Sequence, residues 1–415
     1  MSSPGPLTCV LGLGYVGLPL AVALAESGAD VVGYDVDAAR VTALQAGRSG
    51  IEDVSDERLD AARVRFTTEP PAGATTYVIC VPTPLRDGMP DLSAVEAATR
   101  TVAGVLSPGD LVVLESTTYP GTTEEVVLPL LLSGSGLAAE DVLLAYSPER
   151  IDPGNPAFDI SNTPKVVGGL GEQAAKAAVA LYEQVTAEVV HVAGPREAEM
   201  AKLLENTFRH VNIALVNEMA VFCRQLDIDL FDVIAAASTK PFGFMPFTPG
   251  PGVGGHCIPV DPSYLSWRVK QLGFSFRFVE LAQEINDRMP AYVVSRLADL
   301  LNDAGLALSR SRVLCLGVAY KPGVADCRQS PAVEVVRRLR AKGARVDYCD
   351  PHVPSLVLDA LLVGQELTEE LLGAVDAVVV LTPHRELDLD LVARRAPLVL
   401  DTRGVLPAGG RVARL

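Results

Sequence analysis

The chain has 415 residues, 49% of them hydrophobic, and a formal net charge of −16. That length predicts two or three domains with large cores, and the charge has the wrong sign for a general polyanion-binding surface. No run reaches the ~18–20 uninterrupted apolar residues that a bilayer span needs, and Met1 to Pro6 shows no basic residue ahead of an apolar segment, so no secretory signal is expected. Nucleic acid and membrane are therefore not expected partners.

The cysteines (Cys9, Cys80, Cys223, Cys257, Cys315, Cys327 and Cys349) are scattered, without a CxxC pair, and the histidines make no metal-ligand cluster, so no metal is expected. Cys9, Cys80 and Cys315 lie inside apolar runs and read as core packing. A reducing cytoplasm is the expected compartment.

Leu7 to Leu11 is a short apolar run of the kind that forms a buried parallel strand. Gly12-Leu13-Gly14-Tyr15-Val16-Gly17 follows at once, then a helical stretch to Ser27-Gly28, then a second apolar run that ends at Asp35. Strand, GxGxxG, helix, strand and acid together form the dinucleotide fingerprint. Its glycines permit a tight turn, close approach of a pyrophosphate and close helix packing, and the helix N-terminus faces the phosphates. Asp35 lies near the ~20-residue spacing expected for a ribose-binding acid, and a carboxylate there repels a 2′-phosphate, so NAD is expected over NADP. Arg40 is a candidate contact to the adenosine ribose or the pyrophosphate.

The α/β alternation continues with strands over Thr76–Val81, Leu111–Leu114 and Val142–Ala145. Each delivers polar residues at its C-terminal end, where ligands sit in open α/β sheets: Thr83, then Thr117 and Thr118, then Glu149 and Arg150. From Arg196 the pattern changes. Glu197 to Leu226 reads as one long helix without Gly or Pro. Met200, Leu203, Leu204, Phe208, Val211, Leu215, Met219 and Phe222 recur on it at helical spacing, a plausible dimer surface. Lys202, Asn206 and Arg209 fall on another stripe, where a lysine and an asparagine one turn apart can meet the same small ligand.

Pro249 to Pro262 holds a run of glycines, then Cys257 and, four residues on, Asp261. Glycine lets backbone pass close to a ligand, successive N–H groups there can form an anion-binding nest, and a thiol presented in such a loop can be a nucleophile. Asp261 can orient a water or a lysine. A third region begins near Ser311, with a strand over Val313–Val318, the polar loop Tyr320 to Arg328, a helix over Pro331–Lys342 and strands at Arg345–Cys349, Ala377–Leu381 and Leu398–Leu400. It reads as a second doubly wound unit without a full dinucleotide glycine fingerprint, suited to a nucleotide or another phosphorylated ligand.

In order, Gly12 to Gly17, Pro82-Thr83-Pro84, Ser116-Thr117, Ser147-Pro148-Glu149, Lys202 to Asn206, Gly254-Gly255-His256-Cys257 and Tyr320-Lys321-Pro322 resemble the UDP-glucose/GDP-mannose dehydrogenase family of nucleotide-sugar 6-dehydrogenases. The resemblance runs over essentially the whole chain. It implies an α/β fold of two Rossmann-like domains joined by a long central helix and a helical dimerisation region. The expected boundaries are 1–195 for the NAD-binding domain, 196–300 for the central domain with the cysteine loop, and 301–415 for the UDP-sugar domain.

It also implies a four-electron oxidation of a primary alcohol to a carboxylate with two NAD, giving a UDP-uronic acid of the kind used in polysaccharide biosynthesis. In that reaction Cys257 forms a thiohemiacetal and then a thioester, Glu149 positions or activates water, and Lys202 and Asn206 stabilise the alkoxide-like oxygen. Asp261 orients Lys202 or a water, and Thr117 holds the same water network. Arg150, Ile151, Arg209, Gly254, Tyr320 and Lys321 are implied substrate contacts, and Arg328 a cofactor contact.

Arg150 to Asn155 and Lys240 to Phe244 are most similar to the UDP-N-acetylglucosamine branch. A second glutamate, usual in UDP-glucose members, is replaced by Pro153. A His-Pro-Arg element, usual in the UDP-N-acetylmannosamine branch, is replaced by Pro241-Phe242-Gly243. UDP-N-acetylmannosamine, UDP-glucose and GDP-mannose remain alternative substrates. A two-electron hydroxyacid dehydrogenase would need neither the cysteine nor the second α/β domain, and a non-catalytic nucleotide sensor would not need Cys257, Lys202, Asn206, Glu149 and Asp261 together.

Overall fold

The computed structural model describes residues 6–415 apart from 52, 71, 153, 154, 156, 256 and 257. The chain divides into two compact units, one running to Glu205 with Ser263–Phe274 added, the other comprising Asn206–Pro262 and Ser275–Leu415.

The first unit is built on an eight-stranded sheet. In spatial order its strands are Val189–His191, Lys165–Gly169, Leu143–Tyr146, Leu111–Leu114, Thr76–Ile79, Leu7–Leu11, Asp30–Tyr34 and Arg65–Thr67. All neighbours pair in parallel except Leu143–Tyr146 with Lys165–Gly169, which run antiparallel. The strand order reverses between Leu7–Leu11 and Thr76–Ile79, which is the switch point where a doubly wound sheet binds its ligand. Cys9, Val10, Val78, Ile79, Val112 and Val113 are almost wholly buried, as parallel strands covered by helices on both faces require.

Lys165–Gly169 and Val189–His191 are absent from the strands read in the sequence; the first ends in two glycines, which are weak strand formers, and the second is only three residues long. Packing explains the glycines. A Cβ on Gly168 would lie 2.1 Å from the Gly194 carbonyl oxygen, and one on Gly169 would lie 2.2 Å from the Ala175 nitrogen.

The second unit carries a five-stranded, all-parallel sheet in the order Arg345–Cys349, Arg312–Leu316, Ala377–Val380, Val399–Asp401, Val412–Arg414. Its first strand repeats a device of the first unit. Gly12 and Gly317, both at positive φ (89° and 77°), end the first strand of their sheets. Their N–H groups donate to the last residue of the next strand, Tyr34 at 2.9 Å and Cys349 at 2.8 Å. The helix Pro331–Ala341 follows only after a long loop, started by proline at its first turn and by the Ser330 hydroxyl, which accepts the Ala332 N–H.

One helix, Pro195–Gln225, agrees with the span expected from Glu197 to Leu226. Among the described residues no helix is long and apolar enough to cross a membrane.

The glycine turns give a stability prediction. A Cβ at Gly317 would lie 2.1 Å from the Thr382 carbonyl oxygen, whereas one at Gly323, also at positive φ (76°), would meet nothing within 4 Å. Gly323→Ala should cost about 1–2 kcal/mol, the left-handed penalty alone, and Gly317→Ala distinctly more because backbone must move. Thermal unfolding midpoints should fall in that order. Equal midpoints for the two variants would contradict the packing argument.

Candidate active site

At the glycine turn, a Cβ on Gly17 would lie 1.9 Å from the Gly12 carbonyl oxygen, so packing against the turn excludes a side chain. Gly14 differs, since a Cβ there would meet nothing within 4 Å; the space above it is open. The helix Gly17–Glu26 begins at Val16 without a side-chain cap and without an acid in its first turn, which suits an outside anion.

Asp35 Oδ2 accepts the Leu13 N–H at 2.8 Å and its Oδ1 the Asp37 N–H at 2.9 Å. Each carboxylate oxygen keeps acceptor capacity for a ribose hydroxyl. Arg40 Nε donates to the Leu13 carbonyl, and Tyr15 is half exposed. The Thr83 hydroxyl donates to the Thr117 carbonyl oxygen at 2.7 Å. Thr118 is fully buried, yet its hydroxyl has no hydrogen-bond partner among the described residues. An open floor, an uncapped helix start, an acid with spare lone pairs and an orphaned buried hydroxyl fit NAD.

Beside this turn lies a knot of buried charge. Glu149 Oε1 accepts the N–H groups of Arg150 and Ile151, each at 2.6 Å, and its Oε2 receives the Lys165 ammonium at 3.2 Å. Lys165 also pairs with Glu115, whose Oε2 accepts the Tyr182 hydroxyl at 3.1 Å. Burial pushes the Glu149 carboxyl above its usual range, against the two amides, Lys202 and Arg150. Burial likewise pulls the Lys165 ammonium down to about 7. The Arg150 guanidinium reaches Glu205 at 2.8 Å and the Pro164 carbonyl at 2.6 Å.

The helix Pro195–Gln225 presents a polar stripe that is not solvated. Glu199, Lys202, Asn206, His210 and Asn217 are all buried. Glu199 accepts the Gly121 N–H at 2.6 Å and both the N–H and the hydroxyl of Thr123, at 2.9 and 2.7 Å, and burial still pushes its carboxyl up to about 7. Lys202 Nζ donates to the Glu149 carbonyl oxygen at 2.6 Å.

In the second unit Asn206 donates its amide to Asp261 Oδ2 and accepts the Arg209 guanidinium. Asp261 therefore meets Asn206, a partner not offered for it by the sequence. Asn217 accepts the Gly250 N–H at 2.9 Å and donates to Asn286 at 2.9 Å. Gly254 and Gly255 pack on Tyr320, where added Cβ atoms would come within 3.0 and 2.8 Å of its side chain. Cys257 and His256, and Pro153 and Gly154 in the Arg150–Asn155 stretch, lie outside the described residues.

Behind the loop that carries Tyr320 and Lys321, the Asp350 carboxylate receives Val318 N–H at 2.7 Å, Ala319 N–H at 3.0 Å, His352 N–H at 2.9 Å, Val353 N–H at 3.2 Å and the His384 ring at 3.0 Å. Burial alone would raise its carboxyl, but His384 and the two loop amides override that and hold it at about 2. The Gly323 N–H donates to His384 Nδ1 at 3.2 Å. Because an amide can only donate, the neutral ring carries its proton on Nε2 and gives it to Asp350. Arg328 pairs with Asp326 at 2.9 Å.

Glu115, Lys165, Glu199, Asp350 and His384, which belong to these buried networks, are not among the candidate residues read in the sequence. Only Asp350 had a usable signal, an acid at the end of the second strand of its sheet, as Asp35 is in the other.

This fold and these residues define a dinucleotide-dependent oxidoreductase with a second nucleotide-binding unit. Models of the UDP-glucose/GDP-mannose dehydrogenase family match residues 7–186 (NAD binding domain), 196–288 (central domain) and 314–408 (UDP binding domain). The chain is 38% identical over 385 residues to the UDP-N-acetyl-D-mannosamine dehydrogenase of Pyrococcus horikoshii, covering 91% of this chain and 89% of that protein. It is 39% identical over 350 residues to the UDP-N-acetyl-D-glucosamine 6-dehydrogenase of Pseudomonas aeruginosa, covering 83% and 82%. The solved structure of the UDP-D-ManNAc dehydrogenase from Pyrococcus horikoshii superposes with a TM-score of 0.87 at 34% identity, over 98% of both chains.

The chain belongs to the UDP-glucose/GDP-mannose dehydrogenase family and is an NAD-dependent nucleotide-sugar 6-dehydrogenase.

Asp35→Ala removes the acid that favours a 2′-hydroxyl over a 2′-phosphate. The ratio of kcat/KM for NAD to that for NADP should fall by about tenfold or more, the loss of one charge-assisted contact. A wild type equally efficient with both cofactors would contradict the assignment.

Proposed function

We propose that the chain oxidises the 6-hydroxymethyl group of UDP-N-acetylglucosamine to the carboxylate of the UDP-uronic acid, through a covalent adduct on Cys257. The observation that carries the mechanism is the pair Lys202 and Asn206, both buried and one turn apart on a single helix. Lys202 is fastened to the Glu149 backbone and Asn206 to Asp261. A lysine and an amide kept out of water in fixed positions suit an alkoxide-like oxygen better than solvent does.

Gly12 to Gly17, Asp35, Arg40, Thr83, Thr118 and Arg328 would hold NAD, which would supply a hydride acceptor for each of the two oxidations. The protein's own part begins with the primary alcohol. Lys202 and Asn206 stabilise its oxygen as its proton passes to the water that Thr117 holds. The aldehyde that results has no hydride to give readily. The Cys257 thiolate adds to its carbonyl carbon, the oxygen takes a proton, and the tetrahedral carbon again bears a transferable hydrogen. The second oxidation turns this adduct into a thioester. Water then attacks the thioester carbonyl, Glu149 takes the water's proton, and the thiolate of Cys257 leaves. Asp261 orients this machinery through Asn206, and Thr117 holds the water.

Arg150, Ile151, Arg209, Gly254, Tyr320 and Lys321 bind the UDP-sugar. The stretches Arg150 to Asn155 and Lys240 to Phe244 favour the N-acetylglucosamine substrate. The protein works in the cytoplasm as a homodimer. The long helix supports that assembly, since Leu204, Leu215, Phe222 and Leu226 on and just beyond it are 60%, 52%, 46% and 64% exposed in the single chain.

Cys257→Ser should bind NAD and UDP-sugar with unchanged affinity yet lose turnover by several orders of magnitude. In wild type, mass spectrometry after rapid quenching should find the added mass on the peptide that contains Cys257. Near wild-type carboxylate production by Cys257→Ala would sink the covalent route. Among UDP-sugars, faster oxidation of UDP-N-acetylmannosamine or UDP-glucose would change the branch and leave the reaction class. For the assembly, light scattering at micromolar concentration should report twice the chain mass; a monomer would refute the dimer.

A further inference from the structure

Lys165 has no role in the reaction just described, yet it pairs with two carboxylates out of water. Its side chain is 5% exposed, it pairs with Glu115, whose side chain is 0% exposed, and it reaches Glu149 at 3.2 Å. Its ammonium also lies 5.1 Å from the Tyr182 ring centre.

Two carboxylates sharing one ammonium out of water carry a surplus negative charge, and such a unit takes up a further proton readily. The surroundings decide which carboxylate takes it. Glu115 holds the Lys165 ion pair, the Tyr182 hydroxyl at 3.1 Å and the Cys80 thiol at 3.7 Å. That thiol is pushed up to about 12 by burial, so it stays protonated and donates. Glu115 is thus well solvated as an anion. Glu149 has the Arg150 and Ile151 amides on one oxygen and a shared lysine on the other, with the Lys202 ammonium on its backbone carbonyl and the Arg150 guanidinium turned to Glu205. Of the two carboxylates, Glu149 is therefore the one free to change its protonation.

We propose that Lys165, shared between Glu115 and Glu149, is a positioning residue that sets the pH at which Glu149 carries its charge, and hence when it can take the proton of the attacking water. The inference rests on the reading of Glu149 as the base in thioester hydrolysis.

The two flanking substitutions act in opposite directions. Lys165→Met removes the shared cation and leaves two buried carboxylates together, which favours the neutral form of Glu149. Its titration moves up, and the acid limb of kcat moves to higher pH with it. Glu115→Gln removes the competing anion and leaves the ammonium to Glu149 alone, so the titration and the acid limb move down. Lys165→Arg keeps the charge and should hold the limb within a few tenths of the wild-type pH. A shift of about one pH unit, a tenfold change in rate at a fixed pH on that limb, is the expected size.

The experiment pairs pH–rate profiles with carbon NMR titration of glutamate-labelled protein, the Glu149 signal being identified by its loss in Glu149→Gln. Opposite shifts in Lys165→Met and Glu115→Gln establish the role. If Lys165→Met does not fold, judged by near-UV circular dichroism, the downward shift in Glu115→Gln decides alone. An unmoved Glu149 titration in the folded variants, or an equal loss of activity at every pH without a shift, overturns it. If the Glu149 titration moves as stated while the acid limb of kcat stays, the inference about Lys165 stands and the assignment of Glu149 as the base falls.

Discussion

A buried polar group must find a partner, because leaving it unpaired out of water costs about 1–3 kcal/mol. The helix Pro195–Gln225 turns that constraint into organisation. Glu199, Lys202, Asn206, His210 and Asn217 form one stripe of buried polar side chains, and all but the His210 ring fasten a different segment of chain. Glu199 takes the turn Gly121 to Thr123, Lys202 takes the backbone at Glu149, Asn206 takes Asp261 and Asn217 takes Gly250. Gly250 and Asp261 bracket the loop in which Cys257 stands, so this helix fixes where both flanks of the cysteine loop begin. His210 is the exception in the row: burial lowers its pKa to about 4, so it sits neutral, and among the described residues its ring has no hydrogen-bond partner while its backbone carbonyl accepts Asn286 at 3.4 Å.

The two parallel sheets share a second device with different consequences. In each, a carboxylate at the end of the second strand receives N–H groups from the loop that follows the first. Asp35 receives one such N–H from that loop and one from Asp37, which leaves each oxygen a further lone pair. Asp350 receives Val318 and Ala319 there, then His352, Val353 and the His384 ring. The first acid has capacity left for a ribose; the second is saturated and acts as an internal clamp on the loop of Tyr320 and Lys321. One fold element thus keeps acceptor capacity in one unit and is spent on support in the other.

Much of this was legible in the chain. The buried parallel strands announce themselves as apolar runs, and the Gly12 to Gly17 turn with Asp35 is a local pattern, complete within one βαβ unit. Lys202, Asn206 and Asp261 stand out by type and spacing, and all three are buried. What escaped notice has physical reasons. The strand Lys165–Gly169 ends in two glycines demanded by neighbours outside the strand, Gly194 and Ala175, and a strand weak in local propensity leaves no trace. The helix Arg277–Asp303 contains Pro290, which normally ends a helix. Lys165 and Glu115 are fifty residues apart in sequence and meet only in the folded unit. A buried ion pair of that kind has no periodicity to betray it. The burial of the helix's polar stripe was equally invisible, since spacing alone reads the same for a solvated face.

A covalent route through Cys257 makes the oxidation a four-electron one with no free aldehyde released. It is tested most directly by counting. With UDP-N-acetylglucosamine limiting and NAD in excess, the account predicts two NADH formed for every sugar consumed, an equal amount of UDP-uronic acid, and nothing captured by an aldehyde-trapping hydrazine in solution. One NADH per sugar, with the aldehyde accumulating in the trap, would contradict it.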